Sequence, residues 1–68
     1  LALSEAINDF LGALDEEKRN LFLRRYWYLD SISDLARRFA MSESKVKTTL
    51  FRCRAQLRAH LEKEGYTL

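Results

Sequence analysis

The chain of 68 residues has no proline, only two glycines and a single cysteine. A β-sandwich or barrel needs many tight turns, and this composition does not supply them. The lone Cys53 excludes an internal disulfide and suits a reducing cytosol. No stretch approaches the roughly 18 apolar residues of a membrane span, and no signal-peptide pattern is present. We therefore expect a cytoplasmic, all-α protein that does not engage a membrane.

What the chain does contain is enough apolar residues, 47%, for one small core. Its net charge of +2 is unevenly distributed. Residues 1–34 hold four Lys/Arg and seven Asp/Glu (net −3), whereas residues 35–68 hold eight and three (net +5). A basic C-terminal half favours an anionic partner, although a solvated helix face gives the same distribution. Because the sequence starts in mid-pattern, we expect residues 1–68 to form one domain at the C-terminal part of a longer protein.

Apolar spacing and capping residues predict four helices. Ser4 is a candidate cap for the first helix and Asp15 for the second. The second helix, through "KRNLFLRRYWYL", is apolar on several sides, which predicts that it is the central helix. Ser31 is expected to cap a third, short helix and Ser42 a fourth.

The last two helices form the pattern of a helix-turn-helix. The short helix spans about 31–39, and a turn of about three residues leads to a recognition helix at about 43–64, where Gly65 is the expected stop. Many helical bundles contain such short connections. The fold class predicted is a compact four-helix domain with a helix-turn-helix.

The faces of the fourth helix carry the stronger functional signal. At 100° per residue, its core residues fall in one stripe about 80° wide. These are Val46, Leu50, Cys53, Leu57 and Leu61. The other faces carry cations and two threonines, which are poor residues for a helix interior. Hydroxyl groups bond phosphates, and threonine methyls meet thymine methyls in the major groove. This pattern favours DNA as the partner over an ordinary solvated face.

No residue pattern indicates an enzyme. There is no Ser/His/Asp or Cys/His set, no paired-carboxylate cleft and no glycine-rich phosphate loop. His60 has no ligand partner at metal-binding spacing, so it is interpreted as a surface or boundary histidine, and Cys53 as a small buried hydrophobe. We expect no cofactor and no metal.

The stretch from Leu14 to Leu61 resembles the fourth conserved region of bacterial RNA polymerase sigma factors, most closely the extracytoplasmic-function type. The segments that carry the resemblance follow one another without a gap. They are "F-L-x-R-Y", "S-x-x-x-[LI]-A", "M-S-x-x-x-V-K" and "L-x-R-x-R-x-x-L". Each segment is weak alone, and their order and spacing make the resemblance fairly specific.

The resemblance implies recognition of the −35 promoter element by the recognition helix. Four residues at its start would lie nearest base edges: Glu43, Ser44, Lys47 and Thr48. Four others would fall mainly on phosphates: Lys45, Thr49, Arg52 and Arg54. From the short helix, Ser31 and either Arg37 or Arg38 would reach the DNA backbone.

The resemblance also implies protein partners, namely the β-subunit flap of core RNA polymerase and an anti-sigma factor. If Trp27 is exposed, the expected contact residues are Trp27, Leu23 and Tyr28. If Trp27 is buried, it instead fills the core. The chain departs from the family where Ala40 and the Leu29–Asp30 pair stand, since glycine is common at both places.

Two other functions fit the same pattern. One is the helix-turn-helix output domain of a response regulator, which dimerises through its last helix. The tail offers only Leu61, Tyr66 and Leu68 for such an interface. The other is a helical protein-interaction module whose basic face docks on an acidic protein.

Overall fold

The computed structural model describes residues 2–66. Four helices follow one another in this part of the chain, without a strand. They are α1 (Ala2–Ala13), α2 (Glu16–Tyr26), α3 (Ile32–Phe39) and α4 (Glu43–Lys63). This architecture confirms the predicted all-α fold class and the expected bounds of the helix-turn-helix.

Three of the four predicted helix caps are formed as expected. Asp15, Ser31 and Ser42 each accept a hydrogen bond from the backbone N–H three residues later, at 2.9, 3.0 and 3.0 Å. These bonds satisfy donors that a helix start leaves unpaired. The predicted cap at Ser4 is wrong, because α1 begins at Ala2 and Ser4 lies inside its first turn. Alanine and leucine at this end are good helix formers and let the helix start earlier.

The core has two parts. The first, here called the α1 cluster, joins α1, α2 and α4 through Phe10, Leu11, Phe22 and Cys53. The second, called the HTH cluster, joins α2, α3 and α4 through Leu21, Leu35, Val46 and Leu50. Helix α4 contributes to both clusters and packs against all three other helices. Helix α2 also contributes to both clusters, through Phe22 and Leu21, so it shares with α4 the central position that was predicted for it.

Both connections around α3 contain a left-handed residue that is not glycine. Leu29 has φ of 59° between α2 and α3, and Ala40 has φ of 53° between α3 and α4. A side chain in this conformation crowds the neighbouring carbonyl, which costs about 1–2 kcal/mol. Ala40 is also where α3 ends, and the Met41 N–H donates to the Ala36 carbonyl at 2.9 Å. Leu29 and Ala40 stand where glycine is common in the family that the sequence resembles.

The end of α4 is a glycine stop of the predicted kind. Gly65 has φ of 93°, and the Tyr66 N–H donates to the Leu61 carbonyl at 2.9 Å. This 6→1 bond satisfies a carbonyl that the helix end leaves free. Helix α4 therefore ends two residues after Leu61, the last residue of its core stripe.

Candidate nucleic-acid interface

The first two turns of α4 present the side chains predicted to read bases. Glu43, Ser44, Lys47 and Thr48 are all exposed. Val46 and Leu50, in the same turns of the helix, are buried at 0% and 1%. Packing of this stripe into the HTH cluster therefore fixes which residues of α4 point outward. The N-terminal end of the recognition helix is free to approach a groove.

Phe51 is a candidate site residue that the sequence prediction did not include. It follows Lys47 by four residues and Thr48 by three, so it lies on their face of the helix. Its side chain is 64% exposed, although it is large and apolar. The signal was available in the sequence, because Phe51 falls outside the core stripe. An apolar side chain at this place is suited to a thymine methyl.

Three of the predicted phosphate contacts, Lys45, Thr49 and Arg52, follow one another at four- and three-residue spacing and lie along one side of this face. Lys45 and Arg52 are exposed, whereas Thr49 is half-buried beside a narrow cleft that Lys18 and Gln56 also line. Within residues 2–66, the cations Lys45, Lys47 and Arg52 form no ion pair. Their charges are therefore not neutralised by carboxylates of the described part of the chain.

Two further cations of α4 are held by other side chains. Arg54 Nη1 donates to the Tyr26 hydroxyl at 2.6 Å. Arg58 Nε donates to Glu62 at 3.0 Å, an exposed pair on the same helix. Arg54 keeps its full charge because its partner is neutral, whereas Arg58 faces a carboxylate. Helical spacing does not reveal the Arg54 contact, since its partner lies 28 positions away.

The residues predicted from α3 are all exposed. The Ser31 hydroxyl caps α3 as an acceptor, and its own proton remains available for donation. Arg37 pairs with Asp34 on the helix surface. Arg38 is half-exposed, and its Nε lies 3.8 Å from Asp30 Oδ2. Both arginines are therefore paired with carboxylates, and the pair of Arg38 is the longer one.

Asp30 ties the α2–α3 corner to α2. Its side chain, 16% exposed, accepts from Arg24 Nε at 2.6 Å. Its carbonyl accepts from Arg25 at 2.9 Å, and its N–H donates to the Arg24 carbonyl at 3.0 Å. Leu29, next to Asp30, has a strained left-handed backbone, and such a conformation persists only when the surrounding structure holds it. The three bonds of Asp30 supply that support.

The same corner exposes a run of large apolar side chains, here called the corner patch. Trp27, Tyr28 and Leu29 are 60%, 66% and 79% exposed. The exposure of Trp27 decides against its use as core filling. Leu23 is half-buried against the α1 cluster. It also lines a groove beside Tyr28 with Asn20, Arg24, Arg38 and Phe39.

The remaining chemically reactive groups lie inward. Burial raises the pKa of the Cys53 thiol above its ordinary value, so the thiol stays protonated. The half-buried His60 packs 6.1 Å from the Phe10 ring, and its Nε2 has no hydrogen-bond partner. In the part of the chain that the structure describes, no group of three or more His, Cys, Asp and Glu side chains is placed to hold a metal. None of the helices there is long and apolar enough to cross a membrane.

Comparison with known proteins decides the family. The family model for sigma-70, region 4 matches residues 4–57, which include α2, α3, the turn and most of α4. The chain belongs to the sigma-70 region 4 family. Region 4 is a helix-turn-helix DNA-binding part of sigma factors, which act in transcription initiation, and it is a regulatory rather than a catalytic family. No curated protein and no solved structure matches the chain significantly.

The region 4 assignment bears on the response-regulator alternative. Dimerisation through the last helix would need an apolar patch there, but Leu61 is 5% exposed and belongs to the core. Tyr66 is half-buried, and Leu68 lies outside the described residues. Both the family match and the burial of Leu61 therefore favour region 4 over the response-regulator type.

Proposed function

We propose that this region 4 domain recognises the −35 promoter element as part of a sigma factor that directs RNA polymerase to promoters. The observation that carries the proposal is the outward face of α4. It is exposed over its first turns and lacks an acidic residue between Ser44 and Leu61. A major groove admits a single helix, and the first turns of a recognition helix are those that reach base edges.

Within this proposal, the side chains divide into two roles. Glu43, Ser44, Lys47 and Thr48 lie on base edges, where carboxylate, hydroxyl and ammonium groups discriminate donors from acceptors. The flanking contacts fall on phosphates and fix the register of the helix. They are made by Lys45, Thr49, Arg52 and Arg54 from α4, with Ser31 and Arg38 from α3.

The test is fluorescence anisotropy of labelled duplexes across a salt series. Random duplexes are compared with duplexes that carry AAC-like −35 motifs. Binding should weaken steeply with salt and prefer some sequences. Lys47→Ala should relax the sequence preference, with about 1–3 kcal/mol lost on the preferred duplex. Arg52→Ala should weaken binding to all duplexes and lower the salt slope by about one.

Lys63→Ala is the matched control for both variants. It removes the same charge from an exposed position at the far end of α4, about 24 Å from Lys47 at the rise of an α-helix. Its affinity should stay close to that of the unchanged chain. Equal losses for Lys47→Ala and Lys63→Ala would mean that only overall charge matters. Absence of binding to any duplex at low salt would refute the proposal.

A second function is favoured by the corner patch. Trp27, Tyr28 and the neighbouring Leu23 are proposed to contact the core polymerase flap, or an anti-sigma factor at the same place. Aromatic anchors of this kind dominate protein interfaces. Trp27→Ala should weaken binding to the isolated flap and leave DNA binding unchanged. If Trp27→Ala instead unfolds the domain in circular dichroism, Trp27 is structural and this assignment fails.

A further inference from the structure

Tyr26 is not among the site residues predicted from the sequence. Tyr26 is the last residue of α2, and its hydroxyl accepts a hydrogen bond from Arg54 Nη1 at 2.6 Å. The bond joins the end of α2 to the middle of α4. It therefore places a cation of the recognition helix against a different element of the fold.

Tyr26 is 38% exposed, and the core holds its ring on one side. The Tyr26 ring packs against Phe22 with centroids 4.8 Å apart, and Phe22 is 4% exposed. Phe22 in turn makes an edge contact with Phe10 at 6.1 Å. A hydrogen bond to such a ring restricts the long arginine side chain before any ligand arrives.

The chemistry of the partner distinguishes Arg54 from the other held cation of α4. The carboxylate of Glu62 compensates the charge of Arg58. A tyrosine hydroxyl orients a guanidinium without neutralising it. Arginine has five N–H donors in one plane, so one bond to Tyr26 leaves four for a phosphate. Arg54 thus keeps both its charge and most of its donors.

We propose that Tyr26 is a positioning residue that holds Arg54 ready for a DNA phosphate. The proposal rests on the proposed function and adds to it a residue outside the helix-turn-helix. An ordered side chain loses less conformational entropy on binding, which is the benefit of preorganisation. Removing the hydroxyl should therefore reduce affinity only while Arg54 is present.

The experiment is a double-mutant cycle on the whole 68-residue chain. Tyr26→Phe removes the hydroxyl and keeps the ring, and Arg54→Ala removes its partner. Duplex affinity is measured for both variants and for their combination. Tyr26→Phe alone should weaken binding roughly threefold, the effect of ordering one long side chain. In the Arg54→Ala background it should change nothing. Tyr66→Phe, which removes a hydroxyl beyond the end of α4, should match the unchanged chain.

An equal loss in both backgrounds would overturn the proposal, because the hydroxyl would then act on the fold. No loss, or tighter binding by Tyr26→Phe, would overturn it as well. NMR relaxation of the Arg54 Nε–H gives a readout without DNA: Tyr26→Phe should lower its order to that of Arg52. If the unchanged chain binds no duplex, the proposed function fails, and the relaxation result alone decides whether Tyr26 orders Arg54.

Discussion

The HTH cluster and the α1 cluster are both apolar, but they are buried to different degrees. Leu21, Leu35, Val46 and Leu50 of the HTH cluster are 0–1% exposed, whereas the members of the α1 cluster are 2–8% exposed. The HTH cluster packs the first turns of α4 against α3, through Val46, Leu50 and Leu35. The α1 cluster packs α1 against the middle of α4, at Cys53. Packing is thus tightest where the candidate DNA interface needs a defined geometry.

The largest effect on stability is expected from a cavity in the HTH cluster. Leu35→Ala should lower the free energy of unfolding by about 3 kcal/mol, since it leaves a cavity at a site with no access to solvent. That is a large part of the stability of a domain this small, at roughly 0.1 kcal/mol per residue. Urea unfolding followed by circular dichroism measures the loss.

Leu3→Ala is the matched control, because it makes the same substitution at a leucine that is 44% exposed. It should change stability by less than about 0.5 kcal/mol. A loss below about 1 kcal/mol for Leu35→Ala would show that the HTH cluster can collapse around the missing atoms, and the contrast between the clusters would be lost.

A smaller effect is expected in the α1 cluster. Phe10→Leu should lower the free energy of unfolding by about 1 kcal/mol. Half-buried neighbours such as Ile7 and Leu14 can fill part of the space that the smaller side chain leaves. Hydrogen exchange should show faster opening of α1 amides and unchanged protection in α3. Equal loss of protection in both helices would mean that the two clusters open as one unit.

The strained turns should respond in the opposite direction. Ala40→Gly should stabilise the domain by about 0.5 kcal/mol, because relief of the left-handed strain exceeds the added freedom of glycine in the unfolded chain. The same substitution at Ala59, exposed within α4, should destabilise by about 1 kcal/mol. Thermal unfolding of both variants provides the comparison. Destabilisation by Ala40→Gly would contradict the left-handed turn.

The smallest effect concerns Cys53 and pH. Burial raises the pKa of its thiol in the folded state, so the unfolded chain loses this proton at lower pH. The contribution to stability is full below the unfolded pKa of about 8.5 and declines as pH rises through the folded pKa. The difference in unfolding free energy between the unchanged chain and Cys53→Ala should therefore shrink above about pH 8.5. If this difference in unfolding free energy stayed constant up to pH 10.5, on the order of two pH units higher, a raised thiol pKa would be contradicted.

Local signals in the sequence predicted much of the fold. The caps at Asp15, Ser31 and Ser42 need only a side chain and a backbone N–H three residues away, so spacing alone reveals them. The buried stripe of α4 follows from helical periodicity in the same way. The outward placement of Lys47 and Thr48 is the complement of that stripe. These predictions depend on one helix at a time.

The sequence by itself therefore determined the four helices, the helix-turn-helix and the outward residues of α4. Only the tertiary structure decided that α4 shares the centre of the fold with α2, that Trp27 is exposed and that Tyr26 bonds Arg54. Each of these depends on how one helix meets another, and α2 carries apolar residues on more faces than its neighbours cover. Periodicity within α2 cannot reveal which of those faces remains in solvent, because that choice is made by the packing of α1, α3 and α4.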